Sequence, residues 1–253
     1  MKKFNIILTL LLLLGGLQAV QAQKMVVMTT DNQVAKFDVS KVKDVTFEEA
    51  TPIDDINDTH GWVDLGLPSG TLWATCNVGA SSPEKCGDYF AWGETRPKEN
   101  YNWITYKYCE GSYDTLTKYC IHRGYGYNGF TDNLTELLPE DDAATANWGS
   151  SWQMPSLKQI QELLNSNYTT ITLTTQNDIK GYKITSNRNG KSIFLPDAGF
   201  MNGTSFGATN AYWSRTLGTD DSCDAYTYSL SSYSQWYSAS RCWGRSVRPV
   251  RKK

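Results

Sequence analysis

Histidine is nearly missing from this chain: its 253 residues include two, His60 and His122. There is also no H-E-x-x-H, no G-x-S-x-G and no glycine-rich P-loop. The common signatures of zinc proteases, serine hydrolases and nucleotide enzymes are therefore not written here. His122 lies in "YCIHRGYGYNGF", a glycine- and tyrosine-rich loop where an imidazole reads as a surface residue rather than a base. Surplus basic charge is missing too, with 24 Lys and Arg against 26 Asp and Glu. Nothing electrostatic would draw the chain to nucleic acid or to an anionic membrane. No Cys-x-x-Cys and no Cys/His cluster occurs, so no zinc-type ligand set is spelled out. No cofactor and no metal are expected.

Long apolar runs are confined to the start. In "MKKFNIILTLLLLLGGLQAVQAQ", Lys2 and Lys3 precede an apolar run from Ile6 to Leu14, and Val20-Gln21-Ala22 forms a small-residue cleavage site. This is the anatomy of a secretory signal over residues 1–22. The run is shorter than the ~20 residues that span a bilayer, so no transmembrane segment is expected once the signal is removed. Its removal takes two lysines and no acids, moving the net charge from −2 to −4. The expected location is exported: cell surface, extracellular or periplasmic.

What the chain does have is six cysteines, all after the signal: Cys76, Cys86, Cys109, Cys120, Cys223 and Cys242. An even count in an oxidising compartment suggests disulfides, and pairing of sequence neighbours is the expectation (76 with 86, 109 with 120, 223 with 242). Buried free thiols are the competing reading, above all for Cys76 inside a strand-like run.

Residues 23–50 read as a small β leader, with strands at "MVVMTT", "VAKFDV" and "VKDVTF". Residues 51–61, "TPIDDINDTHG", form a polar linker. Asp54, Asp55, Asn57 and Asp58 lack the glycine and terminal glutamate of an EF-hand and read as a solvated acidic stretch. The main domain spans 62–250. It opens on a hairpin, with Val63, Leu65 and Leu67 alternating before Pro68-Ser69-Gly70 and Leu72, Ala74, Cys76 and Val78 after it. Ser156 and Gln159 fit a capping box ahead of Leu157, Ile160, Leu163 and Leu164 on one helical face. A shorter helix is expected over 140–147, with Asp141 and Asp142 as solvated acids suiting its dipole. "GYKIT", "SIFLP", "AYWSRTL", "AYTYSL" and "SVRPV" read as strands, which makes the domain α+β.

The last stretch is unusual. Residues 212–243 contain eight aromatics (Tyr212, Trp213, Tyr226, Tyr228, Tyr233, Trp236, Tyr237 and Trp243), eight serines and no lysine. Rigid rings with adaptable hydroxyls are the chemistry of a recognition surface. Within it "SSYSQWYSAS", residues 231–240, is expected to be an exposed loop. A solvent-facing strand ribbon is the alternative. Asp221, Tyr226, Tyr228, Tyr233, Trp236 and Tyr237 are the expected ligand-binding residues for a glycan or protein ligand. No catalytic residue is assigned.

Six segments, "VDLGLPSGTLWATCNVGA", "GDYFAWGET", "DDAATANWGSSWQMPS", "SIFLPDAGF", "YWSRT" and "SVRPV", resemble in order the Fibrobacter succinogenes major paralogous domain family. That resemblance implies a C-type-lectin-like fold, an α+β scaffold with a long irregular loop region, carried by exported proteins. It also implies kinship with formylglycine-generating enzymes and with retroelement-diversified receptor proteins, in which the C-terminal part displays variable binding residues. The enzyme relatives use a closely spaced cysteine pair, whereas Cys223 and Cys242 lie far apart in sequence, so an enzyme at that region is the second reading. A purely structural surface protein is the third. The calcium-binding Glu-Pro-Asn or Gln-Pro-Asp of true C-type lectins is not in this sequence.

Overall fold

The computed structural model describes residues 24–28, 34–38, 59–230 and 235–251. They fall into two compact units that divide after Thr51. In the first, β1 (Lys24–Met28) and β2 (Val34–Asp38) form an antiparallel hairpin, from Lys24 opposite Asp38 to Met28 opposite Val34. The expected signal, the third leader strand and linker residues 51–58 lie outside the described residues.

The second unit is a mixed, strand-rich α+β domain built of small antiparallel sheets. The predicted hairpin forms as β3 (Trp62–Asp64) and β4 (Leu72–Ala74), with Val63 opposite Trp73. Gly70 in its turn takes φ +71, a left-handed conformation that costs glycine nothing. The chain's end returns to this hairpin: β13 (Val250–Arg251) pairs with β4, and Val250 also bridges Gln153. The closing "SVRPV" is thus strand only at Val250, the residues before it being fixed by single bridges and side chains.

From Thr75 to Pro155 the chain is mostly irregular, with 3-10 turns and one short helix, α1 (Ala143–Trp148). Then α2 (Leu157–Leu163) starts with the predicted box: Ser156 Oγ accepts from the Gln159 N–H while Gln159 Oε1 accepts from the Ser156 N–H. Its Ile160 and Leu163 are buried. Next come β5 (Thr169–Gln176), β6 (Ile179–Ser186) and β7 (Ser192–Pro196), one three-stranded meander. β8 (Phe200–Asn202) and β9 (Ser205–Gly207) form a small hairpin. β10 (Tyr212–Leu217), β11 (Asp224–Ser229) and β12 (Gln235–Ser240) form the last sheet, with β12 at its edge.

Two apolar clusters make the core. One gathers Trp92, Trp152, Trp213, Leu116 and Val247; the other gathers Trp73, Ile160, Leu163, Ile184, Leu195 and Tyr228. The β10–β12 sheet is shared between them. Alternation points Tyr212 and Tyr228 to the second cluster and Trp213, Leu217, Ala225 and Ala239 to the first.

Several expectations are corrected. None of the three bridges forms, and all six cysteines are free thiols. They are distributed through the packing, where Cys109 Sγ donates to Trp103 O and Cys120 Sγ to His122 O. Asp141 and Asp142 are not solvated but 2 % exposed. Asp142 caps α1 through the N–H groups of Ala144 and Thr145 and also takes that of Met154. His60 is not a free linker residue, because its ring stacks on Trp148 with centroids 3.8 Å apart. Residues 235–240 form a strand rather than a loop. Tyr228 is 0 % exposed: β11 is the central strand and its Thr227–Ser229 end is covered on both faces, while Tyr226 stays partly exposed.

Three arginines close the core. Arg241 donates to Tyr106 Oη and to the carbonyls of Lys118, Tyr119 and Ser222, beneath the rings of Trp92 and Tyr106. Arg248 donates to Asn77 Oδ1 and to the carbonyls of Ala74, Thr75 and Phe194. Arg245 is held by ring faces of Phe200, Trp213, Tyr237 and Trp243, 5.0–5.9 Å away. Each guanidinium replaces lost water with carbonyls or π faces, the condition for burying a cation.

Candidate functional site

The exposed edge of the last sheet begins a series of polar and aromatic contacts. Trp236, on edge strand β12, is 43 % exposed. It sits diagonally across the pair from Tyr226, and the two rings meet edge to face at 5.6 Å. The Tyr226 hydroxyl bonds Thr219 Oγ1 at 2.8 Å. Thr219 belongs to the loop between β10 and β11, which is closed by two backbone bonds, Gly218 N–H to Asp224 O and Asp224 N–H to Asp221 O.

That loop carries Asp221, whose Oδ1 accepts the Tyr125 hydroxyl. The hydrogen bond to this carboxylate pushes the Tyr125 phenol up to about 12, so it remains a donor at neutral pH. Tyr125 leans on Tyr113, centroids 6.3 Å apart, and Tyr113 is 50 % exposed. His122 completes the group, edge-on to Tyr125 at 6.4 Å. The strip thus runs Trp236, Tyr226, Thr219, Asp221, Tyr125, Tyr113.

Ser222 fixes the two loops against each other. Its buried Oγ accepts the N–H groups of Ile121 and His122 and lies 3.2 Å from His122 Nδ1. A Ser–His contact of this kind invites a hydrolase reading. However, the oxygen is fully buried and already holds two backbone donors, so it acts as a pin and not as an attacking group. Among the described residues no three His, Cys, Asp or Glu side chains gather as a metal site requires. No helix among them is long and apolar enough to cross a membrane.

Of the expected contact residues, Asp221, Tyr226 and Trp236 come together. Tyr228 does not: it stacks on Tyr212 in the core, centroids 5.4 Å apart. Tyr237 is half-buried on the opposite face against Arg245. Tyr233 lies outside the described residues. Tyr113 and Tyr125 were missed, although the tyrosines crowding residues 119–127 were a visible signal. The pair behind the enzyme reading, Cys223 and Cys242, is desolvated by burial, which pushes the thiols up to about 11 and about 12. At neutral pH both are thiols, and the thiolate is the reactive form.

Comparison of the chain with protein-family models, with curated proteins and with solved structures found no match.

Proposed function

We propose that this chain is an exported, non-enzymatic recognition protein of C-type-lectin-like fold that binds a glycan along the Trp236–Tyr113 strip. One observation carries the reading: two partly exposed ring pairs, Trp236 with Tyr226 and Tyr125 with Tyr113, flank one loop and are each tied to it by a tyrosine hydroxyl, at Thr219 and at the Asp221 carboxylate. Ring faces take the C–H faces of sugars, and Asp221 with the tyrosine and threonine hydroxyls can meet sugar hydroxyls. Such preformed contacts keep the ordering cost of binding low. For the fold, the support is a last strand lying beside the β3–β4 hairpin, with a long irregular stretch between β4 and α1. For export, it is the basic, apolar and small-residue order of residues 1–22.

The test is a glycan and protein array probed with the intact chain and with Trp236→Ala and Tyr113→Ala. Both side chains are at the surface, so far-UV circular dichroism and the melting profile should stay as they are. Retention on glycans should fall at least tenfold, about 1.4 kcal/mol. Undiminished glycan retention in both variants overturns the site. Retention on protein spots alone replaces the glycan by a polypeptide ligand.

A further inference from the structure

Away from the strip, the outer face of the β5–β7 sheet carries a cleft of about 410 Å³. Alternation along the paired strands puts Thr174 and Gln176 of β5, Lys183 of β6, and Ser192 and Phe194 of β7 on one face. All five line the cleft. The other face supplies Ile184 and Leu195 to the core, so the cleft lies on the outer side. Its second wall is the loop after β4, through Thr75 and Pro83.

The cleft is built rather than incidental. The loop is clasped to the tip of the β5–β6 hairpin, where Asn177 Nδ2 donates to Glu84 Oε1 at 3.1 Å and Ser82 Oγ donates to the same oxygen at 2.8 Å. Asn177 and Asp178 turn the tip with φ +49 and +63, the two left-handed residues of a tight hairpin turn. The floor depends on Gly181. A Cβ there would lie 2.4 Å from Phe194 Cζ, so glycine is what lets that ring settle over the neighbouring strand.

The walls offer hydroxyls from Thr174 and Ser192, an amide from Gln176, and a single charge, Lys183, while the Thr75 hydroxyl is taken up by the Gly61 carbonyl. Among the described residues Lys183 has no carboxylate in an ion pair with it. The nearby acid on the loop, Glu84, is held as a carboxylate by the Ser82 and Asn177 bonds of the clasp and does not line the cleft. Hydroxyl and amide groups around a small apolar floor match the hydroxyls and C–H face of a sugar ring. An unpaired ammonium selects among sugars for a carboxylate.

We propose that this cleft is a second binding site, for an acidic monosaccharide unit such as a uronic-acid residue of a glycan. Its volume lies at the small end of the ligand-pocket range, about 300–1,000 Å³, which suits one or two sugar rings. The proposal does not rest on the aromatic strip.

The experiment is a two-dimensional NMR titration of the intact, nitrogen-15-labelled chain with galacturonic acid, galactose and acetate. Galacturonic acid should shift the amides of Thr174, Thr175, Gln176, Lys183 and Ser192. Galactose, which lacks the carboxylate, should bind at least about tenfold more weakly, and acetate should leave these amides in place. Lys183→Gln, at an exposed position, should bring galacturonic acid down to the galactose level. Trp236→Ala should leave the titration as it was, which separates this site from the strip. Absent shifts, equal response to the two sugars, an unaffected Lys183→Gln variant, or the same shifts with acetate would each overturn the proposal.

Discussion

Asp141 receives the hydroxyls of Tyr108 and Tyr119 and the ammonium of Lys118, with Lys107 at 3.4 Å. Burial by itself would raise its carboxyl. The bonds from Lys118, Tyr108 and Tyr119, with the Lys118 charge, outweigh that and hold it below 3.8. A depressed carboxyl contributes stability that is present above the unfolded value and is lost as pH falls through the folded one. Asp141→Asn should therefore cost about 3 kcal/mol in urea unfolding at pH 7, the scale of a broken buried pair. The gap to the parent chain should narrow as pH falls below 3.8 and through the lower folded value, where the parent acid is protonated as well. A pH-independent gap would show that packing, not charge, is at stake. Tyr228 presents the reverse case, a buried hydroxyl without a hydrogen-bond partner among the described residues. A buried unmet hydroxyl costs about 1–3 kcal/mol, so Tyr228→Phe should raise the unfolding free energy by about 1 kcal/mol. A loss of stability would mean that the hydroxyl has a partner after all.

At the scale of elements, the local patterns that were legible are those whose cause is local. The capping box at Ser156 is set by side chains three residues apart. The β3–β4 hairpin is set by a proline–glycine turn between alternating runs. Ser156→Ala should lower stability by about 1 kcal/mol, read as a shift of the urea midpoint at constant slope. An unmoved midpoint would make the box dispensable. What was not legible depends on distant partners. Nothing in "AYTYSL" reveals that β11 lies between β10 and β12 with cover on both sides of its Thr227–Ser229 end, so alternation alone left Tyr228 on the same footing as Tyr226. "RCWGRSVRPV" likewise gives no hint that Arg241 and Arg248 end on carbonyls supplied from residues 74–75, 118–119 and 194. The aromatic strip was half-visible for the same reason: Trp236 and Tyr226 are near in sequence, but Tyr125 reaches Asp221 across 96 residues.

For the whole molecule the question is what holds a domain with so many irregular loops together. Disulfide staples would do it, and the cysteine count suggests them, yet the six sulfurs are unpaired. Long-range polar bonds take that role instead. Arg241 ties the 118–119 segment to Ser222, Arg248 ties β4 to β7, and Trp92 and Trp213 each donate an indole N–H to a carbonyl more than 120 residues away. Burial also protects the sulfurs, since desolvation pushes the Cys86, Cys109, Cys120, Cys223 and Cys242 thiols up. Oxidation proceeds through the thiolate, so raised and buried thiols react slowly even in an oxidising compartment. Titration of the purified chain in denaturant, without reductant, should accordingly find all six thiols, and far fewer should react in the native state. Adding reductant should leave the melting temperature where it was. Removing three structural bridges would instead destabilise by several kcal/mol, since one bridge is worth about 2–4 kcal/mol. A denatured chain with no titratable thiol, together with a melting point that drops on reduction, would put staples back in place of the arginine network.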